Sequence, residues 1–438
     1  MELTVIGLGH VGLVDSLVLG SYFNKVIAFD VDKDKITMLR DGVSPFEEPF
    51  VQDLLKETRT YVRYTSNIKD AIRPNKVISV AVETSFNEDG TFNLKEYFEA
   101  LDLIAENVIQ DSYILIRSTV PPGTNRKTKE YLESKSQFKF NVISFPAFGS
   151  QGNLVESVVS PSRIIVGVDS PETGRAVKNA IANVIPKKSQ ILITSPENAE
   201  LIKWSSNLYI GMHISFINSL ARLADVYSAN IDTISTGLGM DPRINGELLH
   251  ASLGYGGTML PFSMTENPEN PNTIDYYNSD LFRATVNSNS CQIQYFIDKI
   301  YESYRSVSAK KIAILGASFK SGTEDIRNSP AIYIMRFLLD KGALIQLYDP
   351  LAEDEVQKYF SRHTRISYFD YPQDALKGAD FCLILTDAKE FRELKVDDFK
   401  KNLRKPIIFD GKNLYSLADM EGTEYHSIGR RTVQIKAK

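Results

Sequence analysis

The chain has little cysteine and no excess of positive charge. Cys291 and Cys382 are its two cysteines among 438 residues, too few for a disulfide framework or a cysteine-based metal site, and no metal is expected. Lysine and arginine number 50 against 55 aspartates and glutamates, which argues against the basic surface that nucleic acid requires. No apolar run reaches membrane-spanning length, and the N-terminus enters a strand directly. These features predict a cytoplasmic protein without membrane insertion or a nucleic-acid partner.

Strand and helix patterns alternate in two parts of the chain, on either side of a long helical pattern. The central pattern runs from Glu197 to about Tyr227, with apolar residues at helical spacing. Alternation of this kind is typical of crossover units on a parallel sheet. The sequence therefore predicts an α/β fold, with two Rossmann-like doubly wound domains joined by a long central helix and boundaries at 1–196, 197–304 and 305–438. The strand candidates are Leu3–Ile6, Val26–Phe29, Val77–Val82, Tyr113–Arg117, Phe140–Ile143, Ile164–Val168, Ile312–Leu315, Ala343–Tyr348, Phe381–Leu385 and Ile407–Phe409.

A glycine-rich turn separates the first strand from the first helix. In the run from Gly7 to Gly12, Gly7 permits the tight turn, Gly9 lets the backbone approach a pyrophosphate, and Gly12 lets helix and strand pack closely. The helix N-terminus adds N–H groups and positive potential for phosphate. Asp30 ends the second strand, where a carboxylate can accept both ribose hydroxyls and would repel a 2′-phosphate. The pattern predicts a dinucleotide site that favours NAD over NADP.

Five segments together resemble the UDP-glucose/GDP-mannose dehydrogenase family, over about residues 1–425. Their order and spacing carry the resemblance more than any single one does. The segments are Gly7–Leu13, Ser118–Thr124, Ala199–Lys203, Gly254–Gly257, and Phe319-Lys320 with Asp325–Ala331.

The resemblance implies the two ligands and the residues that hold them. It implies an N-terminal NAD domain, a central helical region that forms a homodimer core, and a C-terminal nucleotide-sugar-binding domain, with a role in polysaccharide biosynthesis. The sugar nucleotide is implied to be a UDP-hexose, since UDP is the commoner choice in the family. Arg243 matches a residue that reaches the neighbouring subunit's ligand, which also implies a dimer. NAD would lie against Gly7, Gly9, Gly12, Asp30, Lys35, Thr84, Thr119 and Arg327, and the sugar nucleotide against Lys203, Asn207, Arg243, Tyr255, Gly256, Gly257 and Lys320.

The sequence departs from the family at positions of the covalent chemistry. The family oxidises a primary alcohol by two hydride transfers, and a cysteine thiolate captures the intermediate aldehyde. That cysteine position is Met259 here, and a thioether cannot form the adduct. The family glutamate position is Ala147, and a lysine and an aspartate of the family are Phe262 and Ser263. The losses therefore concentrate on the covalent half of the reaction.

Neither cysteine is a good candidate to replace the missing thiolate. Cys291 falls in a helical pattern and Cys382 in a strand of the second α/β part. Both are expected to be core residues.

Three functions remain compatible with these residues. In the first, NAD-dependent chemistry on a CH–OH group proceeds by one hydride transfer or by internal oxidation and reduction, with Lys203 and Asn207 as the candidate catalytic residues. Lys203 would act as a general base or stabilise oxyanion charge. In the second, the chain binds nucleotide sugar without turnover. In the third, ranked last, it is an ordinary UDP-glucose 6-dehydrogenase that uses an aldehyde hydrate.

Overall fold

The computed structural model describes residues 2–20, 22, 25–87, 92–181, 189–258 and 280–435. It divides into two compact units, Met1–Ser206 and Asn207–Lys438. The boundaries predicted at 196/197 and 304/305 are not tested by this division and stay a prediction. Among the described helices, none combines the length and the apolar character that crossing a lipid bilayer requires.

The first unit is built on a large, mostly parallel sheet. Eight of its strands form one sheet in the order β10-β9-β8-β7-β4-β1-β2-β3, and β5 and β6 pair separately as an antiparallel pair. All neighbours in the large sheet are parallel except β8 and β9, which meet through one antiparallel bridge between Ser144 and Gly167. The strands are β1 (Glu2–Ile6), β2 (Lys25–Phe29), β3 (Val62–Thr65), β4 (Val77–Val80), β5 (Ser85–Phe86), β6 (Phe92–Asn93), β7 (Ser112–Ile116), β8 (Phe140–Ser144), β9 (Arg163–Gly167) and β10 (Gln190–Thr194).

Helices cover both faces of this sheet. The last of them, α9, is the long central helix that the apolar spacing predicts, and the boundary between the two units falls inside it. The helices are α1 (His10–Gly20), α2 (Lys33–Arg40), α3 (Val51–Glu57), α4 (Ile68–Ile72), α5 (Lys95–Asn107), α6 (Thr124–Lys135), α7 (Leu154–Val159), α8 (Pro171–Ile181) and α9 (Pro196–Val226).

The second unit repeats the doubly wound plan on a smaller scale. Six parallel strands form a sheet in the order β13-β12-β11-β14-β15-β16. Their strands are β11 (Lys311–Leu315), β12 (Leu344–Tyr348), β13 (Ile366–Tyr368), β14 (Phe381–Ile384), β15 (Ile407–Asp410) and β16 (Glu424–Ser427). The helices are α10 (Ile231–Gly239), α11 (Asp280–Ser303), α12 (Pro330–Asp340), α13 (Glu353–Tyr359), α14 (Pro372–Leu376), α15 (Lys389–Glu393) and α16 (Val396–Asn402).

Both sheets have a topological switch point, and this feature positions the sites. In the first sheet β1 lies between β2 and β4, and in the second β11 lies between β12 and β14. At such a point the connections leave to opposite faces of the sheet, which opens a crevice at the carboxyl ends of the strands. The two doubly wound sheets confirm the predicted fold class.

The ten predicted strands are confirmed, with ends that move by one or two residues. The four strands of the large sheets that the sequence did not predict are β3, β10, β13 and β16, and each is the edge of its sheet. An edge strand is covered on fewer sides, so its apolar runs are short or interrupted: β3, β13 and β16 have none longer than one residue, and β10 has a run of three.

The expectation for one cysteine is wrong. Cys291 is exposed, whereas Cys382 is buried in β14 as predicted. On α11 the buried side is formed by Gln292, Phe296 and Ile300. Successive residues of a helix point about 100° apart, so Cys291 faces away from that side.

Candidate functional site

The turn after β1 gives its three glycines different surroundings. Gly7 has a φ of +89°, and a Cβ there would lie 2.7 Å from Val82 Cα. A Cβ on Gly12 would lie 1.9 Å from the carbonyl oxygen of Gly7, so only glycine allows α1 to pack this closely. Apart from Gly9 itself and its two chain neighbours, no described residue has an atom within 4 Å of the place where a Cβ of Gly9 would be. This open side allows phosphate to approach the backbone, and the turn fits a dinucleotide.

Asp30 ties the end of β2 to this turn. The carboxylate is buried and accepts hydrogen bonds from Leu8 N at 2.8 Å and Asp32 N at 3.0 Å. Lys35 Nζ lies 2.9 Å from the same carboxylate. Two of the predicted cofactor residues, Asp30 and Lys35, therefore form an ion pair, and their charges partly offset each other at the predicted ribose position.

The two predicted threonines also meet at this edge of the sheet. Thr84 follows β4, and Thr119 follows β7. The Thr84 hydroxyl donates to the carbonyl oxygen of Thr119 at 2.7 Å. The first unit thus brings seven predicted cofactor residues to the carboxyl ends of β1, β2, β4 and β7. Arg327, the eighth, belongs to the second unit.

Lys203 lies on α9, half-buried and near two positively charged side chains. Its Nζ lies 5.4 Å from the centre of the Phe148 ring, and the guanidinium carbon of Arg163 lies 4.4 Å from the centre of the same ring. Burial, together with the positive charges of Arg117 and Arg163, lowers the pKa of Lys203 to about 8. An amine with this pKa is partly neutral near physiological pH, as a general base must be.

A buried ion pair holds the loop that carries Ala147. Arg117 donates to both carboxylate oxygens of Asp15, at 2.6 and 2.8 Å, and to the carbonyl oxygen of Phe145 at 3.0 Å. Glu48 accepts from Gly152 N at 2.7 Å beyond the other end of the loop. Ala147 lines a cavity of about 510 Å³ beside this pair. The position that the resemblance assigns to a glutamate thus holds a methyl group and no acid.

The second unit contains the predicted glycine loop for the sugar nucleotide. Gly254 and Gly257 have φ values of +109° and +81°. A Cβ on Gly256 would lie 2.5 Å from the carbonyl oxygen of Asn328, so the loop packs directly on the next segment. The Tyr255 side chain is buried, and burial raises its pKa to about 12. The loop therefore presents backbone rather than the Tyr255 side chain.

The remaining predicted residues differ in their surroundings. Arg327 forms a multiply hydrogen-bonded pair with Asp325, with Nε and Nη2 donating at 2.7 to 3.1 Å. Arg243 pairs with Asp241, and its own side chain is 87% exposed. The Asn207 side-chain nitrogen is buried and donates to no described atom, so it can serve a ligand acceptor.

Lys320 follows a turn that a buried acid holds in place. The Asp349 carboxylate accepts from Ala317 N at 2.7 Å and Ser318 N at 3.1 Å. It also accepts from Leu351 N and Ala352 N, at 2.9 and 2.8 Å. Asp349 ends β12 as Asp30 ends β2. Three positions of the catalytic prediction, Met259, Phe262 and Ser263, lie outside the described residues.

Sequence reasoning missed Asp15, Glu48 and Asp349, which position the sites without belonging to a recognised motif. Asp15 is a lone acid within the apolar run of α1, and such a residue requires a buried partner. Asp349 stands at the end of a strand in the second α/β part, as Asp30 does in the first. Both signals are visible in the sequence. Glu48 has no comparable signal.

Comparisons with known proteins agree with this geometry. Models of the UDP-glucose/GDP-mannose dehydrogenase family match the chain in three parts: the NAD binding domain over residues 1–185, the central domain over 197–290, and the UDP binding domain over 313–417. The UDP-glucose 6-dehydrogenase TuaD of Bacillus subtilis is 32% identical over 439 residues, covering 99% of this chain and 94% of that protein. The UDP-glucose 6-dehydrogenase of Rickettsia felis is 32% identical over 445 residues, covering 100% and 98%.

Solved structures match the chain over nearly its whole length. A UDP-glucose dehydrogenase from Pyrobaculum islandicum superposes with a TM-score of 0.88 at 23% identity and covers 98% of each chain. A UDP-D-ManNAc dehydrogenase from Pyrococcus horikoshii gives a TM-score of 0.85 at 25% identity, covering 98% of this chain and 99% of that one. The chain therefore belongs to the UDP-glucose/GDP-mannose dehydrogenase family, with an NAD binding domain at its N-terminus and a UDP binding domain at its C-terminus.

Proposed function

We propose that the protein is an NAD-dependent enzyme that acts on a CH–OH group of a UDP-hexose by one hydride transfer or by internal oxidation and reduction. It does not carry out the two-step oxidation to a uronate. Lys203 is the proposed general base, and Asn207 is a proposed ligand to the substrate. The observation that carries the proposal is an amine of lowered pKa beside a loop that lacks an acid.

Lys203 supports the first part of the proposal, NAD-dependent chemistry on a CH–OH group. Oxidation of an alcohol removes a hydroxyl proton and a hydride from the same carbon. The neutral amine of Lys203 would take the proton, and its pKa of about 8 places that form within reach at physiological pH. Bound NAD supplies the hydride acceptor. Asn207 Nδ2, buried and without a described acceptor, would hold the substrate oxygen in place.

Two substitutions support the second part of the proposal, that the two-step oxidation to a uronate does not take place. A second hydride transfer from an aldehyde needs a covalent adduct or a hydrate. The aldehyde carbon is trigonal, and it becomes a hydride donor only after a nucleophile or water has added to it. Met259 supplies no thiolate, and Ala147 supplies no carboxylate for thioester hydrolysis. The chemistry is therefore proposed to stop after one transfer or to return the hydride to the sugar.

The UDP-hexose assignment rests on the second unit. The UDP binding domain matches residues 313–417, which include Lys320, one of the predicted nucleotide-sugar residues. Lysine suits a diphosphate, since its ammonium group offers charge-assisted donors. The relatives named above are UDP-glucose 6-dehydrogenases, and this supports a UDP-linked hexose here.

We also propose a homodimer formed through α9. Tyr209, Phe216 and Leu223 recur every seven residues along this helix and are 54%, 49% and 50% exposed. Seven-residue spacing places them on one side of a helix, and such a stripe is typical of a surface that another helix covers. Light scattering is expected to give twice the mass of the chain. The Phe216→Glu variant is expected to shift that mass toward the monomer, whereas a monomeric wild type would contradict the proposal.

Stoichiometry tests the proposed reaction directly. With NAD and UDP-glucose or other UDP-hexoses, we expect at most one reduced cofactor per sugar, measured by absorbance together with product mass. An aldehyde or ketone would identify the oxidising form, and an isomerised sugar without net reduction the internal form. The Met259→Cys variant should likewise release no uronate, because Ala147 leaves the hydrolytic acid missing and any thioester formed would stay on the cysteine.

Three results would contradict the proposal or its reasoning in different ways. Two reduced cofactors per sugar and a uronate product would identify an ordinary 6-dehydrogenase. Tight binding of both ligands with no product from any tested sugar would identify a binding protein. Efficient uronate formation by Met259→Cys alone would show that the acid at position 147 is dispensable.

A further inference from the structure

A seam of polar side chains runs between α9 and α11 in the second unit. Hydrogen bonds join Ser219, Arg222, Ser288 and Gln292 to one another across the two helices, and two members of the seam, Asn218 and Gln292, are fully buried. Polar groups in such surroundings are stabilising only when they are hydrogen bonded, so the seam fixes one arrangement. The seam consists of Ser215, Asn218, Ser219 and Arg222 on α9 and Ser288, Asn289 and Gln292 on α11.

The seam holds the backbone that leads into the glycine loop. Asn218 Oδ1 accepts from Ser252 N at 2.8 Å, and Gln292 Nε2 donates to Ser252 O at 2.9 Å. Asn289 alone makes both kinds of hydrogen bond to the backbone of Tyr255. Its Oδ1 accepts from Tyr255 N at 3.0 Å, and its Nδ2 donates to Tyr255 O at 3.1 Å. Side-chain amides therefore occupy both backbone groups of Ser252 and of Tyr255.

The far end of the loop is held in the same way by the segment that carries Arg327. Gly257 N donates to Arg327 O at 2.9 Å, and Asn328 Nδ2 donates to Gly257 O at 3.0 Å. Gly256 stands between these two anchored residues, and its N–H makes no hydrogen bond to the described residues. Leaving a buried N–H without an acceptor is costly, so this N–H is available to a ligand or a water molecule.

We propose that Asn289 is a positioning residue for the nucleotide-sugar site: by holding both backbone groups of Tyr255, it sets the direction of the Gly256 N–H. The inference rests on the proposed function, in which this loop binds the sugar nucleotide. Asn289 and the loop interlock, since a Cβ on Gly254 would lie 2.3 Å from Asn289 Oδ1. No other side chain in the seam contacts Tyr255 backbone on both sides.

Asn289→Asp tests this with almost no change in shape. The aspartate still accepts from Tyr255 N, but it cannot donate to Tyr255 O and places a negative charge against that carbonyl. We expect the Kd for UDP-glucose, measured by calorimetry on the full chain, to rise about tenfold or more. The Kd for NAD should stay unchanged, and in turnover the loss should fall on KM for the nucleotide sugar. Asn287→Asp, the same change at an exposed position of α11, should leave both Kd values unchanged.

Asn289→Ala provides a second variant, which removes both hydrogen bonds and adds no charge. This variant should also raise the Kd for UDP-glucose. If wild type binds UDP-glucose and both variants bind it within twofold of wild type, the positioning role is wrong. If both variants lose affinity for NAD and for UDP-glucose equally, Asn289 has a general structural role, and the positioning role is wrong in that case too. If wild type binds none of the UDP-hexoses tested, it is the proposed function that fails, and this inference fails with it.

Discussion

Lys203→Met is expected to lower kcat by about 100-fold to 10,000-fold, the range that a general base contributes. Methionine removes the proton acceptor and keeps most of the length and apolar surface of the side chain. Because the neutral amine is the active form, wild-type kcat/KM should rise with pH and level off above about 8, near the pKa of Lys203. The variant should lose this limb of the profile. Initial rates across a pH series, with both substrates varied, give the measurement.

Lys203→Arg separates the two roles open to this residue. Arginine keeps the positive charge and stays protonated at every accessible pH. If Lys203 is the base, this variant should be as slow as Lys203→Met, with a flat profile. Substantial activity in Lys203→Arg would instead assign oxyanion stabilisation to the charge, and an unchanged kcat in Lys203→Met would remove Lys203 from the mechanism.

Asp15→Ala is expected to lower the free energy of unfolding of the first unit by about 3–5 kcal/mol. Asp15 and Arg117 are both largely buried, with side chains 3% and 11% exposed. Removing the carboxylate leaves a guanidinium in an apolar cavity with one carbonyl partner, that of Phe145. Urea denaturation of the full chain, followed by circular dichroism, measures the change.

Two further variants test the cause of that loss. Asp15→Leu combined with Arg117→Met removes both charges and should recover most of the stability, because no unpaired charge stays buried. Asp102→Ala breaks the pair with Lys135, which is exposed, and should hardly move the unfolding midpoint. If Asp15→Ala proved as mild as Asp102→Ala, the Asp15 and Arg117 side chains would have to lie in water.

The interior of both sheets could be predicted because burial on both faces requires continuous apolar runs. Val26–Phe29 and Phe381–Leu385 are such runs, and each lies in the interior of its sheet. The edge strands could not be found in this way. β16, with the sequence EYHS, alternates buried and half-buried residues, and its place depends on pairing with β15. The exposure of Cys291 could not be predicted for a related reason. A helical pattern does not show which face of the helix will pack against the rest of the chain.

The residues of the candidate sites also fall into two groups, those that local spacing reveals and those that depend on distant partners. Glycine spacing and Asp30 belong to a local strand–turn–helix unit, so the sequence alone points to them. The roles of Asp15 and Asn289 depend on partners far along the chain. Asp15 meets Arg117 across 102 residues, and Asn289 meets Tyr255 across 34. No local pattern records such pairs.

The sequence by itself determined the fold class, the dinucleotide turn and the chemical groups available at positions 147 and 259. These follow from residue identity and short-range spacing, which need no knowledge of the rest of the chain. Only the tertiary structure decided that Lys203 is half-buried and lies near Arg117 and Arg163, and that amide side chains hold the glycine loop. Desolvation and hydrogen bonding act between residues that folding brings together, so the pKa of an amine and the direction of a loop are properties of the folded chain.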